Sequence, residues 1–215
     1  MLRWCLLTAA FFAISGSLAA GVVIDRIAVV VNRHPIKTSD IDHDIRLTNF
    51  LNAARPNPTP AERKAAMERL IDQELIRSEV ASGRYPRATD KDAQALLDQI
   101  KRDRFGNSDA RLRAALSQYG ITYEELRAQL LWQLTALRFI NERFRSGVLV
   151  SDDDIQKYYE KHRSAFHDPF EKVSGTIRTS LEGEQVNQQF ETWLAEARKS
   201  AAIDYKVDFR QEATP

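Results

Sequence analysis

Two of the four histidines, His162 and His167, stand close together in "SDDDIQKYYEKHRSAFHDPFEKVSG" (151–175), with Asp168 following and Glu160 and Glu171 nearby. Imidazole and carboxylate are the groups used by zinc sites and by general acid–base pairs. His162 and His167 lie about 140° apart around a helix, so they share no face. Neither belongs to an HExxH pattern. They read as solvated histidines near a helix end. Asp152, Asp153 and Asp154 could be taken for a carboxylate site. Ser151 before them makes the run a helix N-terminus instead, where the helix dipole favours acid. His34 and His43 have no cysteine or serine elbow beside them, and the chain has no GxSxG, P-loop or GxGxxG. These residues supply no catalytic set and require no metal or cofactor.

A second pattern concerns binding. At helical spacing, Tyr123, Leu126, Leu130, Leu134, Leu137 and Phe144 form one apolar stripe, the expected core face. Ile121, Ala128, Trp132 and Phe139 fall on nearly the opposite side. A helix with two apolar stripes either lies centrally and packs on both sides, or turns its second stripe to a client or partner. Under the second reading Ile121, Ala128, Trp132 and Phe139 are candidate client-binding residues.

The elements that must position them follow from composition and local signals. Lys and Arg total 31 against 30 Asp and Glu, so no net field draws the chain to nucleic acid or acidic lipid. No nucleic-acid partner is expected. The first twenty residues differ from the rest. Arg3 is a positive n-region, "WCLLTAAFFAI" (4–14) an apolar h-region, and "SGSLAA" (15–20) a cleavage region. Cleavage after Ala19 defines a signal peptide over 1–19. The alternative is a retained anchor, although the apolar run is short for ~30 Å of hydrocarbon. Cys5 lies inside this segment, so the mature chain would carry no thiol and need no disulfide. No later stretch suits a membrane span, so no stable membrane insertion is expected after cleavage.

"VVIDRIAVVV" (22–31) is β-branched and reads as a strand, "NRHP" (32–35) as a turn, and Ile36–Lys37 as the start of a return strand. Thr38 or Ser39 is expected to cap a helix to about Ala54, with Asp42 at N3 under the Ser39 choice. The three prolines of "RPNPTP" (55–60) break it. Thr59, Thr89, Thr122 and Ser151 each precede an acidic first turn and predict four more helix starts. Ser108 caps a short helix that Gly120 ends. A last helix spans about Pro169 to Ser200, with loosening expected at Gly175 or Gly183. "AIDYKVDF" (202–209) alternates, placing Ile203, Tyr205, Val207 and Phe209 on one face of a half-buried strand. A lone strand is unstable unless it pairs, and the strand or hairpin at 22–37 is the simplest partner. The expected fold is mostly α, with a small β element joining N-terminal and C-terminal strands.

"IDRIAVVVNRHPIKTSDID" (24–42), "RLIDQELIRSEVASGRYPRATDKDAQALLDQI" (69–100), "LRAALSQYGITYEELRAQLLWQL" (112–134) and "RFRSGVLVSDDDIQKYYEKHRSAF" (143–166) follow in order. In this series the chain resembles the SurA-type periplasmic chaperones over roughly residues 24–166. In that family the segment like 151–166 is followed by a parvulin-type isomerase domain. Here "HDPFEKVSG" follows, then "QFETWLAEARKSAAIDYKVDF" (189–209), which is similar to the end of those chaperones. The resemblance implies a chaperone domain at 20–167 and a helix and strand at 168–215 returning to it, without the isomerase domain. It implies a non-enzymatic, ATP-independent periplasmic holdase. Its partners would be unfolded or partly folded envelope and outer-membrane proteins. Two other readings stay open: an interaction protein using this scaffold for one folded partner, and an isomerase, which the missing domain disfavours.

Overall fold

The computed structural model describes residues 25–55 and 58–209. The signal-type segment 1–19, with Cys5, and the first residues of the 22–31 strand lie outside the described residues. The β-branched run forms strand β1 (Ile27–Val31), which turns through Asn32 into β2 (His34–Lys37). Asn32 has φ +56°, a left-handed conformation that Asn tolerates better than most side chains. β3 (Ile203–Tyr205) pairs antiparallel with the other side of β1, giving the order β2-β1-β3. Asn32 closes the join, its N–H donating to the Ala202 carbonyl at 2.7 Å and its Oδ1 accepting from the Ala202 N–H at 3.1 Å.

β3 is shorter than the alternation over 202–209 predicts. The N–H groups of Lys206 and Val207 both donate to the Ala28 carbonyl, at 2.8 and 3.2 Å, and two amides on one acceptor end the ladder. Tyr205 is exposed, while Phe209 reaches the core with 4% of its surface accessible. The four apolar residues therefore do not share one buried face.

Seven helices follow β2 among the described residues: α1 (Thr38–Leu51), α2 (Pro60–Ser82), α3 (Asp90–Phe105), α4 (Asp109–Tyr119), α5 (Tyr123–Phe144), α6 (Asp152–Lys161) and α7 (Phe170–Ser200). Thr59, Thr89, Thr122 and Ser151 each accept the N–H of the residue three on, whose carboxylate accepts the cap N–H in return. Each reciprocal pair satisfies two donors a helix start leaves free.

The start of α1 departs from expectation. Lys37 is its cap, and the Lys37 N–H donates to Asp40, not Asp42. Thr38 and Ser39 are drawn to Asp25 instead, which accepts both hydroxyls and the Ser39 N–H. α1 also ends at Leu51, short of Ala54, because Ala53 takes φ +53° and reverses the chain. α7 runs unbroken through Gly175 and Gly183. A helical glycine costs about 1 kcal/mol against alanine. Ile177, Val186 and Leu194, all buried, hold the helix in register across that cost.

Four apolar clusters make the interior. The first joins the sheet, α1, the first half of α2, Leu194 and Phe209. The second lies under the end of α1, with α3, α4 and the start of α5. The third joins Ile76 and Val80 of α2, Phe139 and Phe144 of α5, and Val186 of α7. The fourth seals α6 against the start of α7. α7 thus contributes to three clusters. Near its end, Arg198 bonds Asp72 and Glu68 of α2, and both carboxylates raise its pKa above the ordinary arginine value.

Candidate functional site

The histidine-bearing stretch is a helix joint. His162 caps the end of α6, its ring 4.5 Å from that of Tyr158. The Tyr159 hydroxyl donates to the Asp168 carbonyl at 3.2 Å, and the Asp168 carboxylate pairs with Lys172. Asp152 pairs with Arg178, Asp153 with Lys157, and Asp154 closes the cap with Ser151. The Ser151 hydrogen bonds hold the Asp154 carboxyl below the usual range. Among the described residues no group of three or more His, Cys, Asp or Glu is placed to hold a metal. Residues 162–169 carry the chain directly from α6 to α7.

The two stripes of α5 are resolved by its neighbours. Leu126 and Leu130 face α3 and α4, but further on Thr135, Phe139 and Phe144 turn inward. The buried face rotates because α5 leaves one cluster and enters another, with different helices beside it. Leu137, expected in the core, is 54% exposed for that reason. Ile121 is buried in the second cluster. Phe139 is fully buried in the third, edge-on to Tyr85 at 4.8 Å and Trp193 at 5.4 Å. Ala128 is exposed and Trp132 half-buried. The four candidate residues therefore do not form one surface. Ala128 and Trp132 come together at a cleft; Ile121 is buried in the second cluster and Phe139 in the third, against which Trp132 also packs.

Ala128 and Trp132 line a cleft of about 420 Å³ between α2 and α5. Val80 and Ala81 form the α2 wall beside Arg77. Leu131 and Thr135 complete the α5 wall, and Arg87 and Ala88 close one end. The Arg77 guanidinium lies 4.0 Å over the Trp132 ring. Arg77 is exposed as a residue, yet desolvation at its guanidinium lowers its pKa, with Glu74 acting in the opposite direction. Arginine remains charged under such a shift.

The closing loop, 83–89, is pinned at several points. The Ala88 N–H donates to Thr135 Oγ1 at 3.2 Å, and that hydroxyl donates to the Leu131 carbonyl. Arg138 donates to the Arg87 carbonyl at 2.8 Å and pairs with Asp92. Tyr85 packs on Phe139 and bonds Glu79 and Arg143. The cleft is thus preformed, with backbone and side-chain bonds holding its end wall. Trp132 was legible as a second-stripe residue. Arg77 and Arg87 were not, because each resembles an ordinary solvated arginine until two helices and a loop meet.

No family model matches the chain. Chaperone SurA of Chromobacterium violaceum is 29% identical over 145 residues, which is 66% of this chain and 33% of that protein. Chaperone SurA of Pseudomonas putida is 25% identical over 149 residues, 67% of this chain and 34% of that one. The chain resembles the SurA chaperones in sequence. It spans about a third of the length of the curated relatives it matches. A solved SurA-like chaperone of Campylobacter jejuni superposes with a TM-score of 0.55 at 15% identity, over 83% of this chain and 98% of that one. That likeness concerns the fold: helices around a small sheet made from both ends of the described chain. No helix among the described residues is long and apolar enough to cross a membrane.

Proposed function

We propose that this chain is a periplasmic, ATP-independent holdase that binds unfolded or partly folded envelope proteins, outer-membrane proteins among them. The observation that carries the reading is the preformed cleft walled by Trp132, Leu131, Val80 and Ala128. An apolar cleft with few polar groups suits an extended apolar segment of another chain, bound without chemistry. The similarity to SurA chaperones supports the class of function. Ala128 and Trp132 contact the client, while Ile121 and Phe139 support the helix from inside. The direct passage from α6 to α7 over residues 162–169 supports binding alone, without isomerisation.

The test is suppression of aggregation. Two unrelated unfolded proteins, one of them a β-barrel, are diluted from urea with and without the purified chain, and light scattering is followed. Scattering should fall for both, and Trp132→Ala should weaken the effect while the far-ultraviolet circular dichroism is unchanged. No suppression of either client would refute the reading. Suppression confined to one of the two would instead favour a dedicated interaction protein.

A further inference from the structure

The α2–α5 cleft is apolar in its walls but not neutral. Arg77 and Arg87 are its charged residues, and no Asp or Glu lines it. Neither arginine has an ion-pair partner among the described residues. Glu74, one turn before Arg77, lies 3.1 Å from His34 Nδ1. Asp92 is engaged by Arg138 at 2.9 Å. A cleft at the start of α5 holds a single arginine, Arg113, and no acid, while three others carry carboxylates. One contains Glu79 and Glu196. Another sets Lys64 beside Glu68 and Asp208. A third is crossed by the Asp44–Arg69 pair.

The stacking of Arg77 matters chemically. A guanidinium 4.0 Å over an indole carries five N–H donors in one plane that remain able to meet a carboxylate. Desolvation against the ring also strengthens any hydrogen bond it makes to an anion. Arg87, on the pinned loop, adds a second cation whose backbone is fixed by Arg138. Two cations with no carboxylate lining the cleft, Arg77 only within the field of Glu74, stand beside an indole and aliphatic wall and match a segment that carries both an apolar side chain and a carboxylate.

We propose, building on the holdase reading, that this cleft selects acidic-apolar segments. The occupant is an extended stretch of client with a large apolar residue against Trp132 and an Asp or Glu side chain within a residue or two, paired to Arg77 and Arg87. Basic apolar segments are rejected there, since a client lysine would meet two cations and no carboxylate in the cleft lining. The selection is local: the chain as a whole is near neutral, with 31 basic and 30 acidic residues.

The test uses three acetylated, amidated peptides of one Leu/Phe/Gly pattern that differ only in their charged positions, which carry Asp, Asn or Lys. Blocking the termini removes terminal carboxylates as a source of binding. Affinity is measured by fluorescence anisotropy. The Asp peptide should bind about fivefold to tenfold more tightly than the Lys peptide, with Asn between. The preference should shrink at about 0.5 M salt, where screening reaches a few ångströms. Arg77→Gln and Arg87→Gln should each reduce the ratio of Asp-peptide to Lys-peptide affinity. Arg87→Gln lies on an exposed loop position and serves if Arg77→Gln fails to fold. Equal affinity for Asp and Lys peptides, or a preference unchanged in both variants, overturns the proposal. In that case, Asn-peptide binding that is lost in Trp132→Ala leaves the holdase reading standing. Absence of binding by every peptide, together with no suppression of aggregation, removes both.

Discussion

Phe139 and Trp132 sit seven residues apart on α5, and replacing each by alanine should destabilise to very different extents. Phe139 has no accessible surface. Its ring meets Tyr85 at 4.8 Å, Trp193 at 5.4 Å and Phe144 at 5.9 Å. A buried phenylalanine cut to alanine costs about 3–5 kcal/mol, and each well-placed aromatic pair adds about 0.5–1.5 kcal/mol beyond area. Three ring contacts put Phe139→Ala near ~5 kcal/mol. At about 2–4 °C of melting temperature per kcal/mol for a domain of this size, the fall is roughly 10–20 °C. Trp132 is half-buried, packs on the edge of the same cluster and meets the Arg77 cation, a contact worth about 0.5–1 kcal/mol at an open site. Trp132→Ala should cost about 1–2 kcal/mol and leave the fold intact. Urea unfolding followed by circular dichroism reads both, with equal m-values as the check that the same transition is compared. Phe139→Leu, which restores most of the volume, should recover more than half the loss. If Phe139→Ala stays within about 1 kcal/mol of the parent, the aromatic cluster does not hold α5 against α7. If Trp132→Ala is the more destabilising of the two, the cleft wall is core and the binding argument fails.

Two further outcomes follow from the same contacts. The Thr122 N–H lowers the Glu125 pKa, with His43 and Arg46 nearby adding to the effect against a smaller cost of burial, and Asp154 and Asp92 are lowered by their own caps. With folded values below the ordinary 4.5 for Glu, this stabilisation is complete above the unfolded pKa and is lost as pH falls from about 4.5 toward the folded value. Denaturation midpoints should therefore drop below about pH 4.5, with a shallower slope in Glu125→Gln; an unchanged slope refutes the assignment. Deleting the chain from Ala202 onward removes the β3 ladder and the buried Phe209, so it should cost at least about 3–5 kcal/mol and expose the β1 edge to aggregation. An equal melting temperature for the truncated chain would refute that.

The helix starts were legible because a capping box is local: Thr or Ser and a carboxylate three residues on suffice at Thr59, Thr89, Thr122 and Ser151. The pairing of the two terminal strands was legible from β-branched and alternating runs with no other partner. The α1 cap was not, because Asp25 stands thirteen residues before Thr38 and no spacing rule connects them. The length of β3 was not, because alternation continues past the point where Lys206 and Val207 share one acceptor. In the candidate site, a helical wheel drawn for α5 assumes a single neighbour along its whole length. α5 has two sets, so the wheel placed Leu137 inside and could not show that Phe139 is fully buried where Trp132 is only half-buried. Cations at the cleft arise from residues 77 and 87 meeting residue 132, a tertiary fact with no local signal.

The cleft can persist as an apolar opening because its walls belong to elements already fixed elsewhere. Closing it would bring Val80 and Ala81 onto Leu131 and Trp132, a gain on the order of 25 cal/mol for each Å² removed from water. Against that gain stand bonds that closure would break or strain: Ala88 to Thr135, Arg138 to the Arg87 carbonyl, and Arg77 stacked on Trp132. The end of α2 and the middle of α5 are both anchored in the aromatic cluster through Val80 and Phe139, and α7 reaches the same cluster through Val186. α7 also enters the sheet cluster through Leu194 and the α6 cluster through Ile177. Movement of one wall would therefore disturb packing at three places along a single 31-residue helix. Phe139 and Trp132, two turns apart, stand on one side of α5 and meet the same aromatic cluster, Phe139 fully buried within it and Trp132 half-buried at its edge, where the ring also walls the cleft.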